Sequence, residues 1–220
     1  MKTLSTATTF LAVMICAIFI IAQYQLRAES GGVLDNQGED LMTEQPENHP
    51  TAIFGGGCFW CLESEFRALN GVLYTRVGYM GGDKNDPSYN DVTTGETGHA
   101  EVVEVTFDPD KISYRNLVEF FLTKAHDPTQ VNRQGVDVGT QYRSEIFYTD
   151  EQQKDIAEDV MKDVTMRKIW DKPLATKLGQ ATTFWMGEDY HQQYYEKYER
   201  ENGQMHPRVW FKKKMKDVKQ

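Results

Sequence analysis

Along the 220-residue chain the spacing of apolar and polar positions changes several times, and each change marks an element. An unbroken apolar run from Phe10 to Ala22 comes first, and a polar stretch without periodicity follows it. "TAIF" at 51–54 then reads as a short strand feeding a glycine run. Cys58 to Leu69 reads as a helix closed by Asn70-Gly71, since glycine accepts the left-handed turn that ends a helix. "VLYTRVGY" and "AEVVEVTF" read as strands, and "SYRNLVEFFLTKAH" as an apolar-faced helix stopped by Asp127-Pro128. "SEIFYT" is a further strand, after which Thr149 and Gln152 form a capping box that opens a helix to about Met166. "ATTFWM" reads as extended, and "EDYHQQYYEKYERENG" as a polar and aromatic helix ended by Gly203. Strands and helices mix without strict alternation, which predicts an α+β two-layer sandwich, a mixed sheet with helices packed on it, in a single domain.

The ends of the chain are organised differently. The apolar run is shorter than the ~20 residues needed to span a bilayer, so residues 1–28 are expected to be a secretory signal peptide or, alternatively, an uncleaved N-terminal anchor. Cys16, inside that run, is expected to be an apolar filler. Residues 29–50 carry Gly, Glu, Asp, Asn and Gln without Lys or Arg, the composition of an acidic flexible linker. The folded domain is expected over 51–211 and a solvated basic tail over 212–220. An exported protein, periplasmic or secreted, follows from this layout, with the membrane touched only through an uncleaved leader.

Composition narrows the field of functions. Hydrophobic residues make up 40% of the chain and charged ones 26%, ordinary values for a globular protein, and the net charge of −9 argues against nucleic acid as a partner. Nothing in the pattern calls for an oligomer, and a monomer is expected.

"GGCFWCLESEF" at 56–66 is the stretch that suggests chemistry, with Cys58 and Cys61 three apart. A zinc site needs four ligands, and the five histidines are scattered with no second cysteine pair beside them. A structural disulfide would close so short a loop that its entropic gain would be small. A reactive couple is the remaining reading. At a helix start the unpaired N–H groups would favour the Cys58 thiolate, and Cys61, one turn on at a Cα separation of roughly 5–6 Å, could close a disulfide with it and reopen. The strand from Ala100 adds an acid, because alternation sets Glu101 with Val103, Val105 and Phe107. An inward Glu101 would have its pKa raised by desolvation, whereas at the strand end it could simply meet solvent.

"GGCFW" at 56–60, "GHAE" at 98–101, "DPTQ" with "NRQGVDVGTQYRS" at 127–144, and "EDYHQQYY" at 188–195, taken together and in order, resemble a peptide methionine sulfoxide reductase of the A type. The resemblance implies that family's α+β fold and its reaction, reduction of the S epimer of methionine sulfoxide, free or in proteins. It implies Cys58 as nucleophile, Phe59 and Trp60 as the apolar wall around the S-methyl group, and Glu101, Tyr89 and Tyr142 as the groups that bind or protonate the sulfoxide oxygen. Asp137 would order water and hydrogen bonds, and Tyr194 would complete the pocket; His191 is left outside the catalytic set. The late resolving cysteines common in the family are missing from "ENGQMHPRVWFKKK", so Cys61 is expected to resolve the sulfenic acid, with a thioredoxin-like reductant restoring both thiols. The chemistry calls for no metal, flavin or nicotinamide. Two other readings of the exported cysteine pair are a general thiol-disulfide oxidoreductase and a non-catalytic module that binds methionine-containing peptides.

Overall fold

The structure, a computed structural model, describes residues 44–204. The expected leader or anchor, most of the linker, residues 205–211 of the expected domain and the basic tail lie outside the described residues. Six strands form one sheet in the order β7-β6-β1-β3-β2-β8, with β1 at Thr51–Gly55, β2 at Val72–Met80, β3 at Ala100–Phe107, β6 at Glu145–Tyr148, β7 at Lys177–Gln180 and β8 at Trp185–Met186. Every pairing is antiparallel except β6 with β7, so the sheet is mixed as expected. A two-strand hairpin, β4 at Arg133–Gln134 and β5 at Asp137–Val138, stands apart from it.

Five α-helices accompany the sheet: α1 at Phe59–Arg67, α2 at Tyr89–Thr93, α3 at Tyr114–Phe120, α4 at Glu151–Met166 and α5 at Tyr194–Asn202. The period-two alternation of β3 holds, but all eight of its residues are buried because both faces are covered. One face carries Phe54, whose ring stacks on Phe66 of α1 at 4.8 Å and meets Phe121 at 4.9 Å. On the other, Ile53, Met80, Ala100, Val102 and Phe147 form a cluster against which Ala181 and Phe184 pack. Glu104 is buried on that second face beneath Arg76, which holds it through two hydrogen bonds of 2.7 and 3.1 Å. Register pairs Phe54 with Val103, so the odd-numbered side of β3, Glu101 included, lies under the helices.

Several local expectations are corrected. The fourth helix is capped by Asp150, which accepts the Gln153 N–H at 2.8 Å, and not by a box of Thr149 with Gln152; Gln153 reaches back to the Thr149 N–H instead. An aspartate one residue later competes directly for the same orphan donors. The helix after Ser113 changes to a π-helical turn at Phe121–Ala125 before Asp127-Pro128. Residues 188–193 are a turn and not the start of the last helix, because Gln193 is left-handed (φ 51°) and the helix can begin only after it. Of "ATTFWM" only Trp185 and Met186 join the sheet, while Lys177–Gln180 forms a strand that its polar residues did not announce. Residues 44–50, assigned to the linker, lie against the domain: Gln45 Nε2 donates to Thr106 Oγ1 at 3.3 Å, and Pro50 O accepts the Phe107 N–H at 3.1 Å.

Candidate active site

The glycines before Cys58 fix where the helix mouth lies. Gly57 has φ +93°, and a Cβ there would come within 2.6 Å of Gln134 in the β4–β5 hairpin. A Cβ on Gly56 would meet the Phe121 ring at 2.8 Å and His126 at 3.1 Å. Only a chain without side chains at these positions lets the hairpin and the π turn close on the entrance to α1. Cys58 follows as the N-cap residue, with Phe59 first in the helix.

Glu101 is aimed at that mouth. It is 2% exposed, and its Oε2 accepts the Phe59 backbone N–H at 3.0 Å, so strand and helix start meet through the carboxyl itself. Desolvation pushes its pKa up to about 8, outweighing the N–H bond, so at neutral pH the group is mostly a neutral acid. Both cysteines are free and half-buried. The expected Cys58 thiolate is not the resting state: a hydrogen bond with Cys61 and burial push the Cys58 thiol well up. The Cys61 thiol is held below its ordinary value by hydrogen bonds from Cys58 and Tyr195. The favourable helix end is overcome at Cys58 by its hydrogen bond with Cys61 and by burial.

The other expected site residues belong to three separate elements. Tyr89 opens α2, Asp137 belongs to the β4–β5 hairpin, and Tyr142 ends a 3-10 turn over Thr140–Tyr142. Burial raises both phenols, with the charge of Glu101 next in effect. Desolvation also raises Asp137. The phenols therefore stay protonated and able to donate.

The aromatic wall is assembled around a residue that sequence reasoning set aside. His191 is 1% exposed, accepts the Trp60 indole N–H at 3.0 Å, and lies 4.9 Å from the Phe59 ring and 4.5 Å from Tyr89. Indole can only donate, so Nδ1 of His191 must be the acceptor and the neutral ring carries its proton on Nε2. Burial lowers its pKa and keeps it neutral. Phe59 is 1% exposed and forms the floor, while half-buried Trp60 stacks on Tyr194 at 3.8 Å and 9°. Glu188 fastens the far side, accepting from Tyr79 Oη and from the Tyr89 N–H, both at 2.8 Å. Tyr195 was passed over as well, and its hydroxyl lies 3.0 Å from Cys61 Sγ. The one available signal for His191 was the indole N–H, a donor that needs a partner when partly buried; nothing local pointed to Tyr195.

A thiol pair facing a neutral buried acid, with phenols and an apolar wall around them on an α+β sheet, defines a thiol-dependent oxidoreductase. The family model described as peptide methionine sulfoxide reductase matches residues 50–220, and the chain belongs to that family. Among its relatives is the peptide methionine sulfoxide reductase MsrA of Geobacter metallireducens, 49% identical over 156 residues that cover 71% of this chain and 95% of the relative. The reduced form of Mxr1 from Saccharomyces cerevisiae is similar in structure, with a TM-score of 0.66 and 32% identity over 74% of this chain and 91% of that one. Methionine sulfoxide reductase A of Corynebacterium diphtheriae aligns with a TM-score of 0.60 and 35% identity, covering 74% and 79% of the two chains.

Proposed function

We propose that this protein reduces methionine S-sulfoxide, free or within oxidised proteins, to methionine. The observation that carries the reading is Glu101, a carboxyl 2% exposed with its pKa pushed up to about 8, bonded to the first N–H of the helix that Cys58 caps. A sulfoxide sulfur is electrophilic only when its oxygen is hydrogen-bonded or protonated, and that task is assigned to Glu101, Tyr89 and Tyr142. The S-methyl group lies against Phe59, Trp60 and Tyr194, and Asp137 orders the water and hydrogen bonds around the oxygen.

Cys58 attacks the sulfoxide sulfur while Glu101 gives the oxygen its proton, and the Cys58 thiol proton returns to Glu101. The oxygen passes to Cys58, the methionine sulfur gains two electrons and the Cys58 sulfur loses two, leaving a thioether and a sulfenic acid. Cys61 condenses with the sulfenic acid to a disulfide and water, and an outside dithiol of the thioredoxin type reopens it. The apolar segment 10–22 supports export, with the chain acting as a monomer outside the cytoplasm or tethered by its leader.

Mixing the reduced protein with a methionine sulfoxide substrate and counting methionine per chain tests the proposal. About one methionine per chain without added reductant, and sustained turnover with a dithiol, is the expected result. Disulfide reduction with no methionine would instead identify a general thiol-disulfide oxidoreductase, and binding without turnover a peptide-binding module. In Cys61→Ser the first methionine should still form while thioredoxin-supported turnover stops; normal turnover would remove Cys61 from the mechanism.

A further inference from the structure

Four consecutive residues at the start of α5 are registered on α1. The Gln193 N–H donates to buried Glu63 at 2.8 Å, the Tyr194 ring stacks on Trp60 at 3.8 Å, the Tyr195 hydroxyl lies 3.0 Å from Cys61 Sγ, and Glu196 pairs with Arg67 at 3.3 Å. Three of these contacts fix the position of α5, and the fourth delivers a phenol to the second cysteine. Tyr195 is 5% exposed, so its hydroxyl meets that sulfur with little competition from bulk water.

We propose that Tyr195 is the positioning residue of the resolving step, donating a hydrogen bond to the Cys61 sulfur so that it stands ready, aimed one helical turn back, to attack the sulfenic acid on Cys58. This rests on the assignment of Cys61 as the resolving thiol. A thiolate can accept but not donate, so the phenol must be the donor whenever Cys61 is ionised. The lowered pKa of Cys61, to which hydrogen bonds from Cys58 and Tyr195 both contribute, agrees with that direction.

The step is balanced within the protein. The Cys61 sulfur bonds to the Cys58 sulfur and the S–O bond of the sulfenic acid breaks. The departing hydroxide takes up a proton equal to the one that Cys61 lost and leaves as water. The two sulfurs end at the same oxidation level without an external oxidant or reductant. Tyr195 keeps its proton throughout and contributes orientation and charge stabilisation. The two tyrosines that begin α5 thus serve different halves of the cycle: Tyr194 lines the wall for the substrate, and Tyr195 prepares the sulfur that follows it.

The test is a rapid-quench comparison of the full-length reduced protein with its Tyr195→Phe and Cys61→Ser variants, reading methionine formed and free thiols lost in the same samples. Tyr195→Phe removes one oxygen from a buried ring. The methionine burst should reach about one per chain at the parent rate, while loss of the two thiols slows on the order of tenfold at neutral pH, with its pH dependence moved upward by about one unit. Thiol loss at the parent rate with the parent pH profile would overturn the proposal, and so would an equal fall in burst and thiol loss, which would mark Tyr195 as merely structural. Cys61→Ser separates the two assignments. A sulfenic acid trapped by dimedone in that variant, beside an unaltered Tyr195→Phe, rejects the role of Tyr195 alone. Normal dithiol-supported turnover of Cys61→Ser rejects the resolving assignment and the role of Tyr195 with it.

Discussion

The two sides of the site are built by different means. On one side, the nucleophile and the acid sit on regular elements, with Cys58 at the mouth of α1 and Glu101 in a strand whose neighbours on both sides are antiparallel partners. On the other, His191, on which the Phe59 and Trp60 rings of the aromatic wall rest, belongs to residues 187–193, which have no regular structure and are held by side chains. Gln192 is the main fastening: its Oε1 accepts the Val77 N–H at 2.8 Å, and its Nε2 donates to Val77 O at 2.9 Å and to Gly187 O at 2.8 Å. One amide thereby imitates a strand residue where the short strand β8 runs out. Glu63 performs the matching task at Gln193 from inside the core. The ladder-backed side holds the reacting groups where small displacements matter most.

Perturbing the rigid side should have the largest effect. Glu101→Gln is expected to lower the single-turnover rate by roughly 10²-fold or more, because a neutral amide cannot give the oxygen a proton. An unchanged rate in a quench experiment would place Glu101 outside the chemistry. Next comes pH. Glu101 works in its protonated form and its pKa is raised to about 8, so the methionine burst rate should hold below that value and fall as pH rises through it, by up to about tenfold per unit. The same raised pKa means that the folded protein keeps a proton the unfolded chain releases. That contribution to stability is present below the ordinary carboxyl range and is lost as pH climbs through about 8. A rate that rises steadily across this range would contradict the assignment.

The fastened side should respond more mildly and in a different quantity. Gln192→Ala strands the part-buried N–H of Val77, whose carbonyl keeps the Gly187 N–H at 3.0 Å, and removes a donor from Gly187 O, at a cost of about 1–3 kcal/mol in denaturant unfolding. Since the wall it anchors faces the substrate, KM is expected to rise more than kcat falls. The smallest effect is expected from Tyr194→Ala, which removes the ring stacked on Trp60 and should weaken substrate binding by about 0.5–1.5 kcal/mol, visible in KM and in the tryptophan emission. Equal losses from Glu101→Gln and Tyr194→Ala would erase the distinction between the two sides.

The division also explains what could be read in advance. Positions whose role follows from the local backbone were legible, Cys58 by the glycines before it and Gly203 at the end of α5, where it takes φ 63°, while alternation along β3 left Glu101 open between an inward place and solvent at the strand end. Tyr89, Tyr142 and Asp137 were found through family likeness, since three elements distant in sequence meet only when the hairpin packs on Gly57 and α2 is tied to Glu188. His191, Tyr195 and the strand-like Gln192 had no local signature. Their partners lie between 115 and 134 residues away.

The sequence by itself determined that Cys58, Cys61 and Glu101 could do chemistry and that β3 would alternate, because periodicity and glycine conformations are properties of the local backbone. Tertiary structure alone decided the charge states and the fastenings. Whether Glu101 keeps its proton depends on how completely helices exclude water from it, and the Cys61 thiol lies below its ordinary value because Cys58 and a phenol delivered from another helix hydrogen-bond to it. Solvation and long-range hydrogen bonding exist only once the chain has closed on itself, so no window of residues could have contained them.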